Sequence, residues 1–444
     1  MADASLLDLA VSRAADLNLA RVPAASLKRA GHIIADTIGV SCAGARQGPV
    51  VALTGIERRS GRLGEGAHGA TVFGGSPLRA DPERAAFLNA TAGSFVELDE
   101  GMRPTGHPGM QVVIPAVAVA ETEKAHGQSL LRAVIAGYEV TARLFTAYRL
   151  TYPAHPHGHF GAVGGAVAVA MILDQDPVEA ARIAATSPIL SVWDACFEGA
   201  TARNTWMGSA AELAVRASRL AEAGFTGSPA SLESSFGALA GTLVDPEALT
   251  APLDYEGLGV TRNYFKRHSA CALSHAAVDA VRQLPAFDPA HIERVDVETV
   301  ENNMKLARQA APNALSARFS LPYVVAAALS GRSLDADGFQ FEPETAQLAE
   351  RVETRVAEDL QAHWPGASPA RVTVRTTDGK SYSARVDNPH GHYRDPLTED
   401  EVEQKFLGLA GGGAASQAWW GRMTNLFDVP DCSRLFFGAG DHAD

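Results

Sequence analysis

The sequence has few cysteines, few aromatic side chains and no long hydrophobic run. Its four cysteines, Cys42, Cys196, Cys271 and Cys432, stand far apart without a CxxC pair. This spacing argues against a disulfide framework or structural zinc and fits a reducing cytoplasm. The longest apolar run, residues 161–173, is too short to cross a bilayer. The first residues lack the basic segment of a signal peptide, so we expect a cytoplasmic protein without a membrane partner.

Runs of lysine or arginine are also missing. The formal net charge is -13 and the isoelectric point is about 5.5, so nucleic acid is not an expected partner. A local pocket of Arg, Lys and His can still bind a small anion. The chain contains no GxGxxG after a strand, no GxxxxGK[ST], no GxSxG and no HExxH. We therefore expect neither a cofactor nor a metal.

What the chain does contain is a long series of helical patterns. The 444 residues, 46% of them hydrophobic, suffice for a sizeable core and two or three domains. Residues 45–82 are rich in Gly, Arg and Pro, so we expect them to wrap over the helices, with a short strand at 70–73. Apolar residues at helical spacing predict helices at 5–19, 23–44, 83–96, 112–123, 129–148, 161–173, 177–185, 208–223 and 231–239.

The pattern changes after about residue 260. Residues 292–300 alternate like a half-buried strand, and 370–386 predict a hairpin about Asp378–Gly379. Thr398 with Glu401 is a capping-box pattern that begins a helix at 398–409. Further helices are predicted at 272–284, 318–331 and 346–360. The fold class is therefore mainly α, with a large all-helical domain (1–260 with 398–444) and a smaller α+β domain (261–397).

The loop Phe95–Gly109, here the polar loop, lies between two predicted helices. It contains Asp99, Arg103, Thr105 and His107. Dense polar chemistry between packed helices is typical of a functional site, whereas a solvated loop is the alternative interpretation.

Three histidines at alternate positions, His155, His157 and His159, precede a glycine-rich helical segment. A helix start there favours binding of a carboxylate, and an imidazole can exchange a proton near neutral pH. A metal is not favoured, because no helical HxxxH pair accompanies them. Exposed histidines on a turn are the alternative.

Further cations and imidazoles stand at Arg203, Lys266, Arg267 and His275, and Tyr323 follows in a predicted helix. Cations in a mostly apolar setting are costly unless they meet an anion, and Arg suits a two-point grip on a carboxylate. A surface Arg and a buried Tyr with a satisfied hydroxyl are the alternatives. Together these residue types suit proton abstraction beside a carboxylate, with cations stabilising the developing negative charge.

These motifs occur in an order and spacing that resembles the MmgE/PrpD family, which includes 2-methylcitrate dehydratase, cis-aconitate decarboxylase and iminodisuccinate epimerase. The resemblance covers nearly the whole length. The matching segments are Ala35–Gly44, Glu97–Glu100 with His107–Pro108, Ile114–Glu121, Ala136–Arg143, His155–Pro156 with Gly161–Gly164, Lys266 with His275 and Asp279, and Phe319–Tyr323.

The resemblance implies that the smaller domain is a lid, that the protein is a homodimer and that a cofactor-free site lies between the domains. The catalytic residues that it implies are Asp99, His107, His155, Lys266 and Tyr323. Our candidates for substrate binding are Arg203, Thr105, Arg103, His275 and Arg267.

We expect a cofactor-independent lyase that moves a proton beside a carboxylate of a small di- or tricarboxylate. A hydro-lyase similar to 2-methylcitrate dehydratase is the first choice, and a decarboxylase or epimerase of the same substrates is the alternative. In this hypothesis Lys266, Arg203 and the helix start near His155 hold the substrate carboxylates, His107 oriented by Asp99 moves the proton, and Tyr323 assists the departing or arriving group. A non-catalytic carboxylate-binding protein and a helical scaffold for protein partners are hypotheses of other classes.

Two departures from the family pattern bear on the substrate. Val96 stands where members often have His, and Arg203 stands where decarboxylases of the family have Lys. The reaction and the substrate therefore stay open at this point, whereas the general proton-transfer chemistry is retained.

Overall fold

The computed structural model describes residues 4–64, 69–74 and 78–436. Helices make up 56% of the structure, so the protein is mainly α, as the sequence predicts. Within the described ranges, no helix combines the length and apolarity needed to cross a membrane.

Eleven α-helices lie before residue 260 in the described part of the chain. They are α1 (Leu6–Ala15), α2 (Ala24–Ala45), α3 (Gly48–Arg59), α4 (Pro82–Phe95), α5 (Pro108–Thr122), α6 (Gly127–Ala147), α7 (Phe160–Ile172), α8 (Pro177–Thr186), α9 (Trp193–Glu198), α10 (Thr205–Glu222) and α11 (Glu247–Thr250). The short strands up to residue 264 are β1 (Ala70–Val72), β2 (Leu78–Ala80), β3 (Gly101–Met102), β4 (Tyr148–Leu150), β5 (Gly241–Leu243) and β6 (Asn263–Tyr264).

The remaining elements alternate between helix and strand. The helices are α12 (His275–Arg282), α13 (Ala314–Arg318), α14 (Leu321–Leu329), α15 (Pro343–Ala349), α16 (Glu358–Gln361), α17 (Glu399–Leu409) and α18 (Gly413–Thr424). The strands are β7 (Ile292–Thr299), β8 (Val352–Val356), β9 (Ala370–Thr376) and β10 (Ser381–Val386).

Helix α7 is the centre of the helical region and packs against α5, α6, α8 and α10. Its glycines let the neighbouring backbones approach closely. A Cβ atom on Gly164 would lie 2.0 Å from the Thr141 hydroxyl oxygen and 2.3 Å from the Gly137 carbonyl oxygen. Because no side chain fits there, the small-residue composition of 161–173 serves packing within the protein.

The predicted start of the helix at 398–409 is confirmed. The Thr398 hydroxyl accepts a hydrogen bond from the Glu401 backbone N–H, and the Glu401 carboxylate accepts one from the Thr398 backbone N–H. These reciprocal bonds satisfy donors that a helix start leaves unpaired. Helix α17, which they begin, packs on α2.

The main sheet has the strand order β10-β9-β7-β8. Strands β9 and β10 form the predicted antiparallel hairpin, and β9 also pairs antiparallel with β7. The fourth strand, β8, runs parallel to β7, with Val352 opposite Val295. The apolar face of this sheet, with Val295, Val297 and Val372, is buried in a core that it shares with α12 and α14.

Two large clusters of buried hydrophobic residues form the core. The first lies in residues 7–265 and 336–436, and the second in residues 193–386. Trp193, Cys196 and Phe197 of α9 belong to the second cluster although they precede residue 260. The domain division at 260/261 and 397/398 stays a prediction.

Three predicted elements differ from the structure. The prediction of a helix at 346–360 is wrong, because α15 ends at Ala349 and the chain continues as strand β8. Pairing with β7 and burial of Val352 override the helical spacing there. Residues 48–59, expected to wrap without helix, form α3, whose exposed face weakens its apolar pattern. The helix predicted at 318–331 is divided into α13 and α14 between Arg318 and Leu321.

Candidate active site

A cavity of about 640 Å³ lies where the polar loop, the histidine segment and the second hydrophobic cluster meet. Its wall combines cationic, imidazole and aromatic side chains with few carboxylates. The lining residues with polar or aromatic side chains include Glu97, Arg103, Thr105, His107, His155, His157, Trp193, Tyr264, Asn302, Lys305 and Phe319.

The polar loop is fixed at both ends and in the middle. Helix α4 ends at its first residue, Phe95, and α5 begins near its end, at Pro108, with His107 in the N-cap position. In the middle, strand β3 pairs with β6, so that Gly101 lies opposite Tyr264. A Cβ atom on Gly101 would lie 2.3 Å from the Tyr264 hydroxyl oxygen, so glycine is required for this approach. The pairing brings the loop beside Lys266, two residues after β6.

Four ionisable side chains form a buried charge cluster: Glu97, Asp99, Arg203 and Lys266. The Lys266 amine lies 2.8 Å from Glu97 Oε1 and 3.3 Å from Asp99 Oδ1. Arg203 Nη1 donates to Glu97 Oε2 at 2.9 Å. Each of the four residues is at most 2% exposed. With two cations and two carboxylates, the cluster is electrically neutral when all four are ionised.

The surroundings favour the ionised forms of the cluster. At Asp99, burial is the largest single influence and by itself raises the pKa of the carboxyl. Lys266 and His107 together outweigh burial and hold this pKa well below its usual range. Burial likewise disfavours the Glu97 carboxylate, yet Lys266 and Arg203 lower its pKa. Burial by itself would lower the pKa of the Lys266 amine, whereas Asp99 and Glu97 raise it. Mutual pairing therefore compensates for burial.

Glu97 holds this cluster in an uncommon backbone conformation. Its φ of 49° lies in the left-handed region, which costs a residue with a side chain about 1–3 kcal/mol. Its carboxylate contacts both Lys266 and Arg203. Those two contacts retain the conformation, and Glu97 thereby occupies the anion position between the two cations.

His107 has one ring nitrogen fixed by acceptors. Its Nδ1 lies 2.9 Å from the Glu100 carbonyl oxygen and 2.9 Å from Asp99 Oδ2. The Glu100 carbonyl meets the geometry of a hydrogen bond, and the Asp99 carboxylate lies beside the same nitrogen. Since both neighbours only accept, we assign the proton of the neutral ring to Nδ1. The Nε2 atom is then the basic atom of the ring, and it has no hydrogen-bond partner among the described residues.

His155 and His157 have the opposite tautomer. His155 Nδ1 accepts from the His157 backbone N–H at 3.2 Å, and His157 Nδ1 accepts from Arg203 Nη2 at 2.9 Å. Burial first, and then neighbouring cations and imidazoles, lower the pKa of both rings well below the ordinary value. Both are therefore neutral and carry their proton on Nε2, which makes them hydrogen-bond donors.

The helix start expected to hold a carboxylate lies away from the cavity. Helix α7 begins at Phe160, after His159, and neither residue lines the cavity. The His159 ring instead lies 3.3 Å from the Ser191 hydroxyl and packs on Phe236. Burial lowers the pKa of His159 to about 4. Of the three predicted histidines, the structure brings His155 and His157 to the cavity.

The predicted binding residues divide into two groups. Arg103 and Thr105 line the cavity, and the Arg103 guanidinium lies 4.6 Å from the centre of the Tyr264 ring. Arg267 is exposed and His275 Nε2 lies 3.1 Å from the Ala270 carbonyl oxygen. The structure places neither of these two on the cavity wall.

Tyr323 is not brought to the cavity. Its hydroxyl donates to the Gln340 carbonyl oxygen at 3.0 Å and accepts from the Glu342 backbone N–H at 2.7 Å. The ring stacks on Phe341 in the second hydrophobic cluster. Both hydrogen-bonding functions of the hydroxyl are therefore used within the fold, which favours the interpretation of a buried, satisfied tyrosine.

The cavity residues that were not candidates from the sequence include Glu97, Trp193, Tyr264, Asn302 and Lys305. Glu97 stands in the polar loop and Tyr264 stands two residues before Lys266, so only their contacts were unpredictable. Lys305 lies in a short 3-10 helix, Glu301–Leu306, and no motif in the sequence marks it.

Asp99, His107 and His157 place possible metal-ligand atoms within 4.8 Å of one another, the one such group among the described residues. The neighbouring charges oppose a cation there. Lys266 lies 3.3 Å from Asp99 Oδ1, and the Arg203 guanidinium donates to His157 Nδ1. A metal would have to displace these contacts, so the three residues do not fit a resident metal ion.

Comparison with known proteins gives consistent matches along the chain. The MmgE/PrpD N-terminal domain matches residues 10–249, and the MmgE/PrpD C-terminal domain matches residues 268–419. Cis-aconitate decarboxylase of Homo sapiens is 26% identical over 442 residues, which cover 92% of this chain and 89% of the human protein. Cis-aconitate decarboxylase of Aspergillus terreus is 24% identical over 432 residues, 88% of this chain and 86% of the fungal protein. The chain belongs to the MmgE/PrpD family.

Proposed function

We propose that this protein is a lyase that transfers a proton at a carbon beside a carboxylate of a small di- or tricarboxylate. The relatives named above are cis-aconitate decarboxylases, which makes decarboxylation the first reaction to test. Dehydration, which the sequence favoured, and epimerisation are the alternatives, because all three reactions pass through a carbanion-like state stabilised by an adjacent carboxylate.

The observation that carries this proposal is the environment of His107. Acceptors at Nδ1 fix the proton there and leave Nε2 as a base on the wall of the cavity. The ionised Asp99 beside the ring stabilises the imidazolium that forms when Nε2 takes up a proton. A group placed this way typically contributes about 10²- to 10⁴-fold to a rate.

The same imidazole serves each of the reactions under consideration. In decarboxylation the bond to the departing carboxylate breaks, and its electron pair delocalises towards a neighbouring carboxylate. CO₂ leaves, and the His107 ring, first protonated at Nε2 by solvent, gives that proton to the carbon. In dehydration neutral Nε2 removes a proton from the carbon beside the carboxylate, and hydroxide leaves the neighbouring carbon and takes up that proton to form water. In epimerisation neutral Nε2 removes the proton, and a proton from solvent returns to the opposite face of the carbon. Donors around the cavity stabilise the negative charge in both directions.

The structure changes which residues we propose for holding the substrate. Lys266 and Arg203 already have internal carboxylate partners, so their charges are compensated before a substrate arrives. Arg103, by contrast, lines the cavity, and its Nε has no hydrogen-bond partner among the described residues. We propose that Arg103, with the Nε2–H groups of His155 and His157, binds the substrate.

We further propose that the residues around the second hydrophobic cluster act as a lid, that the enzyme is a homodimer and that it works in the cytoplasm. Support for the lid is that both parts of the chain line one cavity: His107 lies on the helical side, and Asn302, Lys305 and Phe319 lie on the other. Support for the homodimer and the cytoplasm comes from the family resemblance and the spacing of the cysteines.

The direct test is incubation with a panel of small polycarboxylates, cis-aconitate first, in D₂O with NMR detection. We expect CO₂ loss, water loss or deuterium incorporation at the carbon beside a carboxylate with at least one compound. His107→Gln is expected to lower this turnover about 10²- to 10⁴-fold while it retains ligand affinity. A parent protein that binds the compounds without converting any would instead be a carboxylate-binding protein, and one that binds none would fit a scaffold.

A further inference from the structure

Lys305 is a cation on the cavity wall that the proposed chemistry has not used. It lies in the 3-10 helix Glu301–Leu306, on the side of the cavity that the second hydrophobic cluster supports. Its amine donates to Asn302 Oδ1 at 2.9 Å and lies 5.6 Å from the centre of the Trp193 ring. No carboxylate of the described residues lies within salt-bridge distance of this amine.

The surroundings of this amine compensate its positive charge only in part. Lys305 is half-buried, and burial lowers the pKa of its amine, which means that its charge is poorly solvated. A neutral amide and an aromatic face compensate only in part. An anion in the cavity would supply the missing counter-charge.

Lys305 is also close to the proposed proton-transfer group. The centre of the Trp193 ring, which the amine approaches, lies 4.3 Å from the centre of the His155 ring. The centre of the His157 ring lies 4.3 Å from that of His155 and 4.7 Å from that of His107. A ligand held at Lys305 therefore lies in the same cavity as His107, separated from it by a row of donor imidazoles.

We infer that Lys305, with Asn302, forms a subsite for a second carboxylate of the substrate, opposite the carboxylate held by Arg103. This inference rests on the proposed function and specifies its substrate: an anion with at least two separated carboxylates. The buried charge cluster of Glu97, Asp99, Arg203 and Lys266 explains why such a subsite is needed. Because Glu97 already fills the anion position between Lys266 and Arg203, a substrate carboxylate must find its cation elsewhere.

The test is calorimetric binding of saturated acids to the full chain, which requires no turnover. The probes are propane-1,2,3-tricarboxylate, glutarate and butyrate. Lys305→Met keeps the aliphatic stem and removes the charge. We expect it to weaken tricarboxylate binding about 10- to 100-fold, the loss typical of a hydrogen bond to a charged group, and to change butyrate binding less than threefold. Equal losses for all three acids, or no loss, would overturn the inference.

Three further variants make the result specific. Arg308→Met removes a neighbouring cation that packs on Phe197 and should leave tricarboxylate affinity within threefold of the parent. Lys305→Arg keeps the charge and should retain affinity within about fivefold. Asn302→Asp adds an internal carboxylate beside the amine and should weaken tricarboxylate binding as strongly as Lys305→Met. An Asn302→Asp variant with the parent's affinity would contradict the subsite, even if Lys305→Met failed to fold.

Failure of this inference can be told apart from failure of the proposed function. Lys305-dependent binding without conversion of any polycarboxylate leaves the subsite standing and refutes the lyase. Turnover that is unaffected by Lys305→Met, with unchanged KM, leaves the lyase standing and refutes the subsite.

Discussion

The buried cations Lys266 and Arg203 and the cavity-wall cations Arg103 and Lys305 have similar charges in different surroundings. The first pair is at most 1% exposed and bonds to Glu97 and Asp99. The second pair lines the cavity and has no carboxylate partner among the described residues. This difference shows that a buried cation can lie at a site although it does not itself bind the ligand. We assign the first pair to holding Glu97 and Asp99, the carboxylate beside His107, and the second to holding substrate.

The largest expected effect comes from removing His107, the proposed proton-transfer group. His107→Gln should lower kcat about 10²- to 10⁴-fold and change the affinity for propane-1,2,3-tricarboxylate less than threefold. Steady-state kinetics and calorimetry measure the two quantities. His291→Gln, whose side chain is 69% exposed, is the matched control and should change neither. If binding is lost together with kcat, His107 also holds the substrate, and the division between the substrate-binding residues and the proton-transfer residue is contradicted.

Next in size is the effect of breaking the charge cluster. Glu97→Gln leaves Lys266 and Arg203 with one compensating carboxylate, so we expect the free energy of unfolding to fall by about 3–5 kcal/mol. Urea unfolding measures it. The exposed pair between Lys28 and Glu399, with side chains 52% and 48% exposed, provides the control: Glu399→Gln should cost about 1 kcal/mol or less. Similar losses in both variants would mean that burial does not distinguish the two kinds of pair.

A smaller effect concerns Glu100, which supports the same loop. Its Oε1 accepts from the Gly109 backbone N–H at 2.7 Å, and Oε2 accepts from Tyr138 and Asn263. Burial raises the pKa of Glu100 from 4.5 to about 7. The folded protein therefore binds this proton more tightly than the unfolded chain, and stability is lost as the pH rises from about 4.5 through 7.

Glu100→Gln removes this dependence. Relative to the variant, the parent should lose up to about 3 kcal/mol of unfolding free energy between pH 4.5 and 7, and the difference should be constant above that range. Urea unfolding at several pH values provides the measurement, with exposed Glu123→Gln as the control. A difference that does not vary with pH would show that the folded and unfolded chains bind the Glu100 proton equally, which would contradict the prediction.

The smallest effect is expected at Tyr323. Because its hydroxyl bonds to Gln340 and Glu342, Tyr323→Phe should lower the free energy of unfolding by about 1–2 kcal/mol and leave kcat within threefold of the parent. Steady-state kinetics measures kcat, and urea unfolding measures the free energy of unfolding. A loss of kcat above tenfold with unchanged stability would return Tyr323 to the catalytic group that the resemblance implies.

The elements that could be predicted from sequence are those whose signals are local. The capping box of Thr398 and Glu401 and the Asp378–Gly379 turn each depend on residues within a few positions of one another, and the structure contains both. Strand β8 could not be predicted, because its pairing with β7 spans more than 50 residues and overrides a helical spacing.

The candidate site shows the same division. The polar loop and the His155 segment could be recognised as sites because polar side chains are concentrated in them. The pairing of Glu97 with Lys266 could not be predicted, because it depends on the contact of β3 with β6 across the chain. Lys305 carries no local signal, and it becomes informative only when the structure shows a half-buried amine without a carboxylate partner.

The most direct test of the comparison is a crystal structure of the full chain with propane-1,2,3-tricarboxylate in the cavity. We predict carboxylate oxygens within hydrogen-bond distance of Arg103 and Lys305, with the Glu97 contacts to Lys266 and Arg203 retained. A ligand carboxylate between Lys266 and Arg203, with Glu97 displaced, would contradict the account, because the buried cations would then be the ones that bind substrate.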